Sequence, residues 1–189
     1  MSRFNGDTRK PAAPVTPGKL EVLTTYLEMT ARPALTSAQP PGGEITVVRA
    51  KNPTVSFYRF LYNSIGEPWH WYERRTMDDD ALRTIVQHPD VEVCVLRVEG
   101  VPAGYVELDR RVAGEVEIAY FGLMPEFIGR GLGRFLLDWA VTAGWQTSPR
   151  RLWVHTCSLD HPSAIAVYQR AGFVPYKKEL ALIDDPRLA

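Results

Sequence analysis

Residues 115–140, EVEIAYFGLMPEFIGRGLGRFLLDWA, decide how the chain folds. An alternating strand leads into a turn with glycine at every second position, Gly129, Gly131 and Gly133. A helix follows, its apolar Leu132, Phe135, Leu136, Trp139 and Ala143 recurring at helical spacing. Glycine lets the backbone turn tightly and approach a ligand, and the first N–H groups of a helix carry its positive dipole end toward an anion. Strand, glycine turn and helix in that order make a phosphate-binding geometry, to which Arg130 and Arg134 add charge. A plain tight turn needs one glycine, not three. The spacing is neither G-x-x-x-x-G-K-[ST], whose lysine reaches the outer phosphates, nor a G-x-G-x-x-G early in the chain, so nucleotide kinase and Rossmann oxidoreductase readings both weaken.

Working outward, residues 91–98 and 103–110 alternate as strands joined by Glu99-Gly100, and Ala113-Gly114 turns the chain into 115–124, an antiparallel meander. Ahead of it, ITVVRA after Glu44 is strand-like. Asn52 and Pro53 then cap a helix that stops at Gly66, and Thr76 begins a second helix ended by Pro89, with Leu82, Ile85 and Val86 on one face. Beyond residue 143, RLWVHT predicts a strand, Pro162–Ala171 a helix stopped by Gly172, and FVPY a last strand. Two helices followed by ββαβαβ define a layered α/β (α+β) domain. Residues 1–18, with Pro11, Pro14 and Pro17, read as a disordered leader. Residues 19–43 read as an accessory strand (20–30) and a linker, leaving 44–189 as the domain proper. The strand at 20–30 either pairs within the domain or adds to a neighbour's sheet edge, which leaves a homodimer open.

The strand, the glycine turn and the later AIAVYQRAGF, an A-x-x-x-Y-x-x-x-G-F pattern, together resemble the GNAT superfamily of acyl-CoA-dependent N-acyltransferases over residues 45–176. The resemblance implies a single-domain fold with a mixed, mostly antiparallel central sheet, about four flanking helices and a sheet splayed at the acetyl-CoA site. It implies that residues Ile128, Gly129, Arg130, Gly131, Leu132, Gly133 and Arg134 cradle the pyrophosphate of acetyl-CoA. It further implies that the exposed backbone of Phe121, Gly122 and Leu123 holds the pantetheine arm and the carbonyl oxygen, and that Tyr168 protonates the departing thiolate. Two positions depart from the family pattern: Ile128 stands where Arg or Gln is usual, and His161 where Asn is frequent.

An amine attacking a thioester must lose a proton, and the carbonyl oxygen and leaving sulfur each need a partner as charge develops. By period-2 alternation Glu117 shares a strand face with Ala119, Phe121 and Leu123, where apolar neighbours would raise its pKa toward that of a base useful near neutral pH. The same residue would serve equally as a cross-strand partner for Arg97 or Arg110. His155, whose ordinary pKa needs little adjustment, is a second candidate, and a water chain a third. Glu107, Asp109 and Glu115 are weaker ones. Cys157 has no evident activating base in the sequence, which favours direct transfer in a ternary complex over an acyl-enzyme.

For the acceptor, residues 57–75 are dense in aromatic rings, and Trp69, His70 and Trp71 fall in the loop between the two early helices. With Glu67 and Glu73 nearby, they suit a cationic amine on a small molecule or peptide. The chain of 189 residues carries 22 Lys plus Arg against 22 Asp plus Glu, and this neutrality argues against a nucleic-acid partner. No run of 18 apolar residues suggests a membrane span, so a cytoplasmic protein is expected. Cys94 and Cys157 show neither C-x-x-C spacing nor zinc-like partners, so no metal is expected. The alternative to an N-acetyltransferase is an acyl-CoA-binding module without catalysis.

Overall fold

The computed structural model describes residues 17–34 and 40–188; most of the expected leader and the middle of the linker lie outside them. Seven strands form one sheet: β1 Lys19–Met29, β2 Ile45–Arg49, β3 Val91–Val98, β4 Val101–Asp109, β5 Glu115–Leu123, β6 Arg151–Cys157 and β7 Val174–Asp184. Their order is β2-β3-β4-β5-β6-β1-β7, with β5 and β6 parallel and every other pair antiparallel. Helices α1 (Val55–Gly66), α2 (the single turn Glu73–Thr76) and α3 (Asp79–Val86) lie on one face, and α4 (Leu132–Gly144) and α5 (Ala164–Arg170) on the other. This is the mixed, mostly antiparallel sheet between helices that the sequence implies, with α2 as an added turn.

Each face has its own core. Ile118, Leu136, Ala140 and Val154 pack beneath α4 and α5, while Tyr58, Leu61, Leu82 and Tyr105 pack beneath α1 and α3. At roughly 1.5–3 kcal/mol per buried large apolar side chain, these two clusters hold the helices in register with the sheet. Through the second runs a buried ion pair: Arg74 Nη2 donates to Glu107 Oε1 at 3.0 Å, and Glu107, fully buried, also accepts from the Tyr58 hydroxyl. That pair fixes the one-turn α2, too short to persist by itself, against the sheet.

The strand expected at 20–30 is β1, and it sits inside the sheet with β6 on one edge and β7 on the other. Three helix boundaries differ from the sequence reading. The cap of α1 is Thr54, whose Oγ1 accepts from the Phe57 N–H at 3.2 Å, while Asn52 takes a left-handed φ of 50° two residues earlier. The cap of α3 is Asp78, whose carboxylate accepts from the N–H groups of Asp80 and Ala81. A charged acceptor satisfies two free N–H groups and complements the helix dipole, so it displaces Thr76, which instead ends α2. Gly66 ends α1 with a right-handed φ of −89°, so its role is not a left-handed stop. A Cβ there would stand 2.4 Å from the Trp71 ring, and the glycine is what lets that indole close on the helix.

The β5 strand contains a bulge. Leu108 pairs with Ile118 and Glu107 with Tyr120, leaving Ala119 as the extra residue. The bulge reverses side-chain parity: Val116 and Ile118 face the α4 core, as do Phe121 and Leu123, whereas Tyr120 packs on the α1 side. Glu117 therefore does not share a face with Phe121 and Leu123, contrary to simple alternation. Close to the bulge, α1 presses on Gly122, where a Cβ would lie 2.4 Å from Ile65 Cγ2. Gly122→Ala is expected to lower stability by about 1–3 kcal/mol through overpacking, read as a lower urea midpoint at unchanged slope. A midpoint equal to the parent's would contradict this packing.

Candidate active site

The parallel ladder between β5 and β6 covers only Glu115–Ile118 against Arg151–Val154. Beyond it the strands diverge. Met124 N–H bonds to Ala103 O at 2.9 Å, toward β4, so by alternation Gly122 also spends its backbone groups on β4. The N–H and C=O groups of Phe121 and Leu123 point the other way, into the gap that β6 has left. A cavity of about 870 Å³ runs through this gap, from the start of α4 on one side of the sheet to the loop before α2 on the other.

At the first end, Gly129 and Gly131 hold left-handed φ values of 82° and 77°, which only glycine adopts freely, and Gly131 caps α4 with no side chain satisfying the first N–H groups. Gly133 is different. Its φ is ordinary, and a Cβ would make only van der Waals contact with Leu123 at 3.6 Å, so the protein's own packing does not demand a glycine there. Open backbone N–H groups at a positive helix end, with room beside them, fit a pyrophosphate. Ile128, Gly133 and Arg134 line the cavity; Gly129, Arg130, Gly131 and Leu132 lie outside its wall. The Leu132 side chain is buried in the core, so only its backbone faces outward. Arg130 lies 5.3 Å over the Phe127 ring, and Arg134, largely exposed, stands 3.7 Å from Asp138.

In the middle of the cavity, Tyr168 is buried against Phe121 and Phe173, with ring centroids 6.2 and 6.0 Å away. Its hydroxyl bonds to no other described residue, and burial, with the Asp160 charge second, pushes its pKa well up, so the phenol keeps its proton at neutral pH. Across the gap, His155 Nδ1 lies 3.1 Å from Glu117 Oε1. Glu117 meets an imidazole where apolar neighbours were expected, and Arg97 and Arg110 take no part in the pair. The Glu117 hydrogen bond holds the His155 pKa above its ordinary value, against the opposing effect of burial. His155 lines the main cavity and Glu117 stands behind it, on a smaller hollow with Asp109 and Trp153. The weaker base candidates are engaged elsewhere: Glu107 with Arg74, Asp109 with Arg111 and Glu115 with Arg151. Burial pushes the Cys157 thiol up to about 11, which makes it a poor nucleophile.

The far end is walled by Trp69, His70 and Trp71, all three lining the cavity as expected, with His70 in a left-handed conformation at φ 58°. Trp69 packs edge-on against His161 at 5.0 Å. His161 itself opens α5, its Nδ1 accepting from the Ser163 N–H at 3.1 Å. Sequence reasoning passed over Asp160, which ties the two sides of the cavity together. Its Oδ1 accepts from Trp71 Nε1 at 3.1 Å, and its Oδ2 from Thr156 Oγ1 at 2.9 Å and the Cys157 N–H at 2.8 Å. It also passed over Val22, Ala181 and Ile183, brought to the cavity by β1 and β7. Of the acidic residues near 67–80, Glu73 lines the cavity, while Asp78 caps α3 and Asp79 and Asp80 pair with Arg59 and Arg83. Among the described residues no group of three or more His, Cys, Asp or Glu is placed to hold a metal, and no helix is long and apolar enough to cross a membrane.

A glycine turn at a helix start thus opens through a splayed sheet onto an aromatic loop. A profile of the acetyltransferase (GNAT) family matches residues 56–173, and the chain belongs to that family. A sequence search of curated proteins finds no match. Among solved structures, a GCN5-related N-acetyltransferase from Sphaerobacter thermophilus superposes with a TM-score of 0.65 at 19% identity, over 90% of this chain and 56% of that one. One from Kribbella flavida gives 0.60 at 19%, over 89% and 60%. An aminoglycoside N-acetyltransferase solved with CoA gives 0.52 at 19%, over 74% and 94%. The chain thus spans about three fifths of the length of the first two, and the likeness is one of fold.

Because Asp160 bonds the Trp71 indole to Thr156 and Cys157 at the β6 end, Asp160→Ala is expected to cost about 2–3 kcal/mol and to loosen the Trp71 indole. A lower Tm together with a red-shifted, more quenchable tryptophan emission would show it; unchanged emission would contradict the clamp.

Proposed function

We propose that the chain transfers an acetyl group from acetyl-CoA to a primary amine by direct attack while both are bound. The observation that carries this reading is the continuous cavity through the strand gap, which Tyr168 and His155 both line. Acetyl-CoA would be held by the backbone of the loop 128–134 and by Phe121 and Leu123, and it supplies an activated thioester carbonyl.

The roles of the side chains follow from their surroundings. Glu117 orients His155 through Nδ1, leaving Nε2 free to take the proton that the amine nitrogen must lose. The inward N–H groups of Phe121 and Leu123 are donors for the negative charge that grows on the carbonyl oxygen, a contribution of about 3 kcal/mol per donor in acyl-transfer sites. Tyr168, kept protonated, gives its proton to the departing sulfur. No step passes through Cys157. A second reading, acyl-CoA binding without transfer, takes support from Ile128, which offers no charged or amide side chain to the loop.

Release of free thiol from acetyl-CoA with an amine panel separates the two readings: tight binding with no release over the whole panel would favour the second. In the active case, Tyr168→Phe is expected to slow release about 100-fold, within the range for a general acid. The neutral imidazole is the reactive form, so kcat/KM should rise with pH through a midpoint above 6.5, the ordinary histidine value. Glu117→Gln removes the carboxylate that favours the imidazolium, so that midpoint should move to lower pH while the maximum rate falls. A midpoint that stays in place would remove His155 from the base role.

A further inference from the structure

The acceptor half of the cavity has an unusual balance of rings and charges. Tyr62, Trp71 and Tyr120 form a mutually packed cluster, with centroids 5.1–5.3 Å apart, that presents aromatic surface to the cavity, and Val22, Ala181 and Ile183 make the opposite wall apolar. Carboxylates are scarce there. Asp160 has both oxygens engaged by Trp71, Thr156 and the Cys157 N–H. Glu117 stands behind His155 and does not reach the cavity wall. Glu73 remains: its Oε2 accepts from the Tyr120 hydroxyl at 2.7 Å, which orients the group, and its Oε1 has no hydrogen-bond partner among the described residues.

From this balance, and resting on the acetyl-transfer reading above, we infer that the acceptor is a monoamine with an aromatic or alkyl tail, its ammonium met by Glu73 and its tail laid between the ring cluster and Val22 and Ile183. A polycationic acceptor finds one available carboxylate; leaving its remaining ammonium groups unpaired is costly. A monoamine satisfies the single carboxylate and gains apolar and cation–π contact from the walls. Glu73 is thus a specificity-determining residue, fixed in place because its neighbour Arg74 is locked to the buried Glu107.

The test uses the full chain, acetyl-CoA, and four amines: 2-phenylethylamine, hexylamine, spermidine and kanamycin. The first two are expected to give kcat/KM values at least about tenfold above the last two, the effect of a single unmatched charge. Glu73→Gln should raise KM for 2-phenylethylamine about tenfold or more, with kcat and the Kd for acetyl-CoA by calorimetry little changed. Turnover greater with spermidine or kanamycin, or a Glu73→Gln variant with unaltered KM, would overturn the acceptor class while leaving acetyl transfer standing. Failure to bind acetyl-CoA, or no thiol release with any amine, would overturn both.

Discussion

Between Ile118 and Tyr120, β5 carries one residue more than β4 opposite it, and this bulge governs which side chains meet in the cavity. Upstream of it Glu117 faces the α1 side and finds His155; downstream, Phe121 and Leu123 face α4 and α5 and find Tyr168. Without the extra residue Glu117, Phe121 and Leu123, an even number of positions apart, would all face the same side of the sheet. The pairing to β6 ends at the same place, and a strand that bends at a bulge is a strand that can leave its neighbour. The imidazole pair, the buried Tyr168 phenol and the open backbone thus flank one local irregularity, beside which Ile65 packs on Gly122.

The parts of the structure that depend on nearby residues were legible in the sequence. Glu99-Gly100 both take positive φ, as a two-residue hairpin turn demands, and the glycines before α4 announce its start. Tyr168, Trp69, His70 and Trp71, which a motif or a loop marks in the sequence, line the cavity. What escaped depends on distant partners. No local feature distinguishes a bulge at Ala119 from regular alternation, so Glu117 was assigned to the wrong face. Nothing local marks Asp160, since its bond to Trp71 spans 89 positions. Glu107 read as one of several strand carboxylates, and only the fold shows it sealed against Arg74.

The zero net charge likewise conceals an arrangement. Asp78, Asp79 and Asp80, the densest acidic run, are spent on a helix cap and on Arg59 and Arg83, so they contribute little to the cavity. The carboxylates that matter are dispersed singly: Glu117 beside an imidazole, Glu73 at the acceptor end, Asp160 as a structural tie. At the other end the positive character comes largely from backbone N–H groups that no side chain caps. Such a division gives each end of the cavity its own polarity with few formal charges.

The interior position of β1 has a consequence for how the protein is made. Lys19 meets Asp184 across 165 residues, so β1 must wait for a strand made long after it. At ordinary synthesis rates of about 5–20 residues per second, that interval is roughly 10–30 s. Until β6 is made, Leu20, Val22, Leu27 and Met29 have no neighbouring strand to pack beside. β7, whose one neighbour in the sheet is β1, completes the sheet at its edge once β1 has joined β6.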